Sequence, residues 1–147
     1  FTISFDSPYI NSRLIKRYSF LSSKMTDETY RIKHFPNEIP KDAKDYYFHL
    51  EKSFRGYDIQ YLKFRINESY IDKIIDENKD KIAHKLNRNN IDNYYKYVPY
   101  RNMNDDIHCT IYILKNENND NNYTSGIITS KTGEILFFYS NFNLGKI

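Results

Sequence analysis

The sequence predicts an α+β fold, an antiparallel sheet with one main helix packed on one face, and three observations carry that expectation. Two aromatic and β-branched runs, Tyr46 to Phe54 and Asp58 to Ile66, flank Arg55-Gly56-Tyr57, the spacing of a hairpin with a short glycine-containing loop. Three more such runs close the chain: Ile107 to Lys115, Tyr123 to Thr129 and Glu134 to Tyr139. Between the two β regions Ile71, Ile74, Ile75, Ile82 and Leu86 fall near helical spacing, which predicts one helix over about 69–87 laying an apolar stripe on the sheet.

At 147 residues the chain is expected to form a single domain, 1–147, with an N-terminal segment over 1–35 and an α+β core over 36–140. A short helix fits near 10–22. Thr29 to Phe35 alternates, which suits a strand or an extended arm, and Pro36 and Pro40 bracket a turn. In the second run of the hairpin, Leu62, Phe64 and Ile66 share the expected core face. Asn67 or Ser69 can cap the helix, and Ser69 with Asp72 has capping-box spacing; a break near Asn78 is compatible with the pattern. Residues 87–106 hold few aliphatics and read as a long connection containing Pro99. The last three runs are expected as a three-stranded meander over 107–139, joined by the Asn-rich loop 116–122 and by Ser130-Lys131-Thr132-Gly133. Gly133 supplies the positive φ of the tight turn.

Composition narrows the function classes. The chain is 39% hydrophobic and 28% charged, with fifteen Tyr, ten Phe and no Trp, so much of the core is aromatic with hydroxyls at its boundary. A net charge of +3 with interleaved acids disfavours nucleic acid as a partner, although Arg13, Lys16 and Arg17 form a small basic group. The single cysteine, Cys109, sits in an apolar run and is expected as a buried, inert thiol. No run approaches the ~18 apolar residues of a membrane span, so no transmembrane segment is expected. The four glycines are isolated, which excludes a glycine-rich phosphate loop, and no cofactor is expected. The chain begins at Phe1 rather than Met, and a removed export signal is one explanation.

Two sets of residues are candidates for function. Tyr94 to Arg101 interleaves aromatics with cations, and Tyr95, Tyr97, Tyr100 and Arg101 are the expected binding residues. A lid over the sheet comes first among its readings, a protein interface second and single-strand nucleic acid last. His34, His49, His84 and His108 lack metal-box spacing, so no metal is expected. Adjacent in a strand, His108 and Cys109 would point to opposite faces. An enzymatic alternative pairs His49 with His108 as acid and base, provided their strands are neighbours, with Lys63 or Arg65 stabilising developing charge. Compact RNase toxins that end on a β-hairpin resemble this chain in shape only.

Ile39-Pro40-Lys41-Asp42-Ala43 is a proline-led start followed by an aromatic hairpin, the strand Tyr61-Leu62-Lys63-Phe64-Arg65-Ile66, a short helix and a closing hairpin over Gly126 to Tyr139. Over about 36–140 this run resembles small domains found in bacterial envelope proteins and lipoproteins. The resemblance implies no catalytic residues and favours export, to the periplasm or to a membrane anchored by a removed N-terminal segment. The expected function is therefore a non-enzymatic domain that binds another protein, in the manner of an immunity protein or of an inhibitor of a toxin or hydrolase. The alternative is a small RNase-like toxin or effector using histidine acid-base catalysis.

Overall fold

A computed structural model describes residues 2–4, 32–53, 58–91, 98–117 and 122–141. The helix expected near 10–22, the basic group at Arg13, Lys16 and Arg17, and the loop Arg55-Gly56-Tyr57 lie outside the described residues. The elements are β1 (Thr2–Ser4), β2 (Lys44–Ser53), β3 (Asp58–Arg65), α1 (Glu68–Glu77), β4 (Ile82–Leu86), β5 (Cys109–Leu114), β6 (Thr124–Ser130) and β7 (Glu134–Ser140). They form an α+β domain with one antiparallel sheet in the order β1-β2-β3-β7-β6-β5-β4. The meander expected over 107–139 is present as β5, β6 and β7, with Ile111 opposite Ile128 and Ile127 opposite Phe137. The last strand is inserted between the β2–β3 hairpin and the rest, so Leu62 also pairs with Phe137.

Every residue of β7 is buried, because the sheet is covered on both sides. On one face Phe48, Leu50, Leu62, Phe64, Ile127 and Phe137 form a core. On the other, Tyr61, Ile111, Ile113, Ile128, Leu136 and Phe138 form a second. Leu62 and Phe64 are buried, as the alternation of β3 requires, but Ile59 and Tyr61 on the opposite side are buried as well. A half-wet sheet would have left that side exposed.

A one-residue bulge in β2 explains how Ala43 joins the same core as Phe48 and Leu50 despite the odd spacing. Lys44 pairs with Arg65 but Tyr47 pairs with Lys63, so three steps on β2 match two on β3 and the side-chain alternation reverses. Asp45 takes up the extra length at φ 53, a left-handed conformation that Asp tolerates better than most residues. Two glycines are required where they stand. Gly133 turns the β6–β7 hairpin at φ +87, as expected. At Gly126 the strands approach so closely that a Cβ would lie 2.1 Å from the Tyr112 carbonyl oxygen and 3.0 Å from the Phe138 ring.

The helix begins at Asn67, whose side-chain oxygen accepts from the Tyr70 amide at 2.9 Å, while Ser69 Oγ donates to the same oxygen. It ends at Glu77, ten residues later rather than near 87. Asn78 is buried and its side-chain amide donates to the Ile74 carbonyl, which competes with helical continuation; a single 3-10 turn over Lys79–Lys81 follows. Ile82 and Leu86 therefore do not extend the helical stripe but lie on the edge strand β4, opposite Leu114 and Ile111. Ile71 is buried in the first core, with Tyr70, Ile74 and Ile75 at its margin. The extended arm expected up to Phe35 is a turn at 32–35, because Ile32 and Phe35 both enter that core. Among the described residues no helix is long and apolar enough to cross a membrane.

Two outcomes follow for stability. Gly126→Val is expected to lower the urea-unfolding free energy by about 3 kcal/mol or more, since backbone must move to admit the side chain; an unchanged midpoint would show that β5 and β6 do not approach as described. Ile71→Asp is expected to destabilise by several kcal/mol and Ile75→Asp by less, because only Ile71 is fully buried.

Candidate binding surface on the strap

Residues 98–106 run as a strap across the second face of the sheet. Val98 and Met103 are buried in the core there, and Tyr100 packs partly against it, so the lid expected of this connection is present in its described part. Two charges under the strap hold it down. Lys63 Nζ donates to the Asn102 carbonyl at 2.8 Å, and Glu134 Oε1 accepts from the Asn104 amide at 2.8 Å. The two side chains also face each other, Nζ to Oε2 at 3.7 Å, with Glu134 1% exposed. A buried carboxylate needs such partners, since an uncompensated one is far more costly than an exposed one. Lys63 is thus committed to the strap, and Arg65 lies 3.6 Å from Asp45; neither is free to serve a reaction centre as the enzymatic alternative requires.

On this strap a single 3-10 turn over Tyr100–Asn102 presents Tyr100 and Arg101 together. Arg101 Nε donates to the Tyr100 hydroxyl at 3.1 Å, and the guanidinium carbon lies 5.5 Å from the ring centroid. Arg101 itself is exposed. The ring is anchored from below and the cation is stacked above it, which orients a planar donor toward solvent. Tyr95 and Tyr97 lie outside the described residues.

The histidines do not assemble. His49 lies on β2, where its ring stacks on Tyr61 at 4.8 Å and 15°, with Nε2 3.5 Å from Glu51 and Nδ1 buried without a partner. His108 precedes β5 and is held by Asp105, which accepts from its backbone amide at 3.1 Å and lies 3.2 Å from Nδ1. Three strands, β3, β7 and β6, stand between them, roughly 19 Å of sheet at the usual strand spacing. The condition that their strands be neighbours is not met. Cys109 is buried and donates to the Asp106 carbonyl at 3.3 Å, and burial raises its pKa, as befits an inert thiol. Among the described residues no group of His, Cys, Asp and Glu could hold a metal ion.

His34 was the residue least legible as a structural element. Its Nε2 lies 2.9 Å from the Phe138 carbonyl, and its ring meets Phe35 edge-on at 4.9 Å. Burial lowers its pKa to about 4, against the raising effect of the Phe138 and Gly126 carbonyls, and Lys81 lowers it further. Nothing in its local alternation announces a contact 104 residues away. The Lys63–Glu134 pair was equally hidden, although a Glu opening an otherwise apolar run is a signal that some partner is needed.

No protein family matches the chain, nor does any curated protein or solved structure.

Two measurements test these interactions. His34 is neutral when folded and protonates below pH 6.5 when unfolded. Its contribution is therefore complete above pH 6.5 and is lost as pH falls toward about 4, amounting to about 3 kcal/mol at most. His34→Gln, which keeps a donor for Phe138, is expected to flatten urea midpoints over that window; an unchanged slope would mean that the ring is not desolvated. Lys63→Met leaves Glu134 alone and is expected to lose about 3–5 kcal/mol. Adding Glu134→Gln should recover part of that loss, and strict additivity in the cycle would show that the pair is not coupled.

Proposed function

We propose that this domain is a non-enzymatic protein-binding module that takes its partner on the strap, at Tyr100 and Arg101. The observation that carries this reading is the pinning of the strap by Lys63 and Glu134, which orders an aromatic–guanidinium pair before any partner arrives. Pre-ordering lowers the entropy lost on association, and Tyr with Arg is a pairing enriched among residues that dominate interface energy. In this reading α1 seats on the face opposite the strap through Ile71 and leaves the strap as the presenting surface. Tyr95 and Tyr97, named from the sequence alone, are proposed as further contacts to the same partner.

The resemblance of 36–140 to domains of bacterial envelope proteins supports an exported protein in the periplasm or at a membrane. An immunity protein or an inhibitor of a toxin or hydrolase is the form of binder that fits a small domain of this kind. The RNase-like alternative lacks a shared site for His49 and His108.

Tyr100→Ala and Arg101→Ala are expected to weaken capture of the partner from a native-host envelope extract, each by about thirtyfold in Kd once the partner is purified. Melting temperature should change little for Arg101→Ala. Capture at wild-type strength by both variants would remove the strap as the binding surface. Cleavage of total RNA that is lost in His108→Ala would overturn the non-enzymatic reading.

A further inference from the structure

On the face opposite the strap, the turn 32–35 meets the start of β4 and the end of β5 around a cleft of about 230 Å³. By liquid-water volumes that is room for roughly eight waters, the scale of a phosphate or a short dicarboxylate. Its interior is made by Ser125 of β6, Leu114 of β5, and the side chains of Tyr123 and His34. Its rim carries Lys33, Lys81 and Lys115 against Asp80 and Glu117.

Those charges are not all used. Lys33 is ion-paired with Glu117. Glu117 is itself fixed by its backbone amide, which donates to the Tyr123 hydroxyl at 3.0 Å. Lys115 Nζ donates to the backbone carbonyl of Asp80 at 3.1 Å, a bond that positions the ammonium without neutralising it. Lys81 makes no ion pair among the described residues, and its backbone carbonyl accepts from the Lys115 amide at 2.8 Å, which holds the two lysines side by side. The rim therefore has a surplus positive charge.

The floor supplies a neutral donor. Ser125 is 4% exposed, and its hydroxyl makes no hydrogen bond among the described residues. It is not sealed in, because among those residues the one enclosed side-chain N or O without a partner is His49 Nδ1. The hydroxyl thus opens into the cleft that it lines. His34 is fixed by its contact with the Phe138 carbonyl and is uncharged at neutral pH, so it shapes the wall without adding charge.

We propose that this cleft binds a small oxyanion, a phosphate or carboxylate group held between the ammonium groups of Lys81 and Lys115 and the hydroxyl of Ser125. The site is independent of the strap and of the partner proposed for it. With Glu117 paired to Lys33, the two remaining lysines outnumber the one remaining carboxylate, Asp80, and the Ser125 hydroxyl can turn its proton inward, which suits an acceptor-only ligand.

The test is titration of the ¹⁵N-labelled full chain with inorganic phosphate and, separately, with succinate, at physiological salt. Saturable shifts centred on the amides of Lys81, Lys115 and Ser125 are expected with at least one probe, and the probe that saturates at lower concentration assigns phosphate or carboxylate as the group. Lys81→Ala should weaken binding about tenfold with an unchanged melting temperature, and Ser125→Ala should weaken it as well, while Lys85→Ala on the neighbouring strand should not. Shifts that stay linear in concentration with both probes, that spread equally to Lys41 and Lys131, or that survive Lys81→Ala unchanged would overturn the proposal.

Discussion

The burial of β7 along its whole length is the constraint from which the rest of the structure follows. A strand with Ile135, Phe137 and Tyr139 on one side and Leu136 and Phe138 on the other needs a covering layer on both. Local hairpins cannot provide two layers, so the chain uses its less regular segments. The turn 32–35 and the side chain of Ile71 enter the core on one side, and the strap encloses the core on the other. The strap 98–106 is thus required by the strand it covers.

Covering an antiparallel sheet with an irregular segment raises the question of how that segment is held, since it brings no ladder of its own. Here Lys63 and Glu134 take the place of the ladder by bonding to the strap's backbone at Asn102 and Asn104. Because those bonds are under the strap, screening by salt is weak and breaking one partner leaves the other buried. The proposed binding role rests on that rigidity: an exposed Arg101 stacked on an anchored Tyr100 is a surface that is already ordered.

The β4 edge of the sheet bears on the same proposal. On the β4 edge, the strand is five residues long, carries a bulge between Ile82 and His84, and places Lys85 over Tyr112 at 5.8 Å. Short, bulged and lysine-bearing edges resist pairing with another strand. Strand addition is therefore disfavoured at β4, which is compatible with the side-chain recognition proposed for the strap.

Local rules were enough wherever the deciding interaction was near in sequence. Alternation in Asp58 to Ile66 and the apolar, β-branched character of the last three runs located β3, β5, β6 and β7 to within a few residues, Gly133 marked its turn, and of the two cap candidates Asn67 and Ser69 it is Asn67 that starts the helix, with Ser69 inside it. The same rules failed at Ile82 and Leu86, whose spacing suits a helix. Their conformation is decided by pairing with Leu114 and Ile111 and by the buried side chain of Asn78 that closes the helix. They could not show that both faces of the sheet are dry, that a bulge at Asp45 brings Ala43 and Phe48 to one side, or that three strands stand between His49 and His108. Nor could they place Lys63 against Glu134 or His34 against Phe138. By itself the sequence determined the extended segments β2, β3, β5, β6 and β7 and the Gly133 turn, because backbone preference and alternation act over a few residues. The order of the strands, the double cover and the pairing of distant polar groups were decided only in the tertiary structure, where burying β7 makes contacts between residues up to about a hundred positions apart.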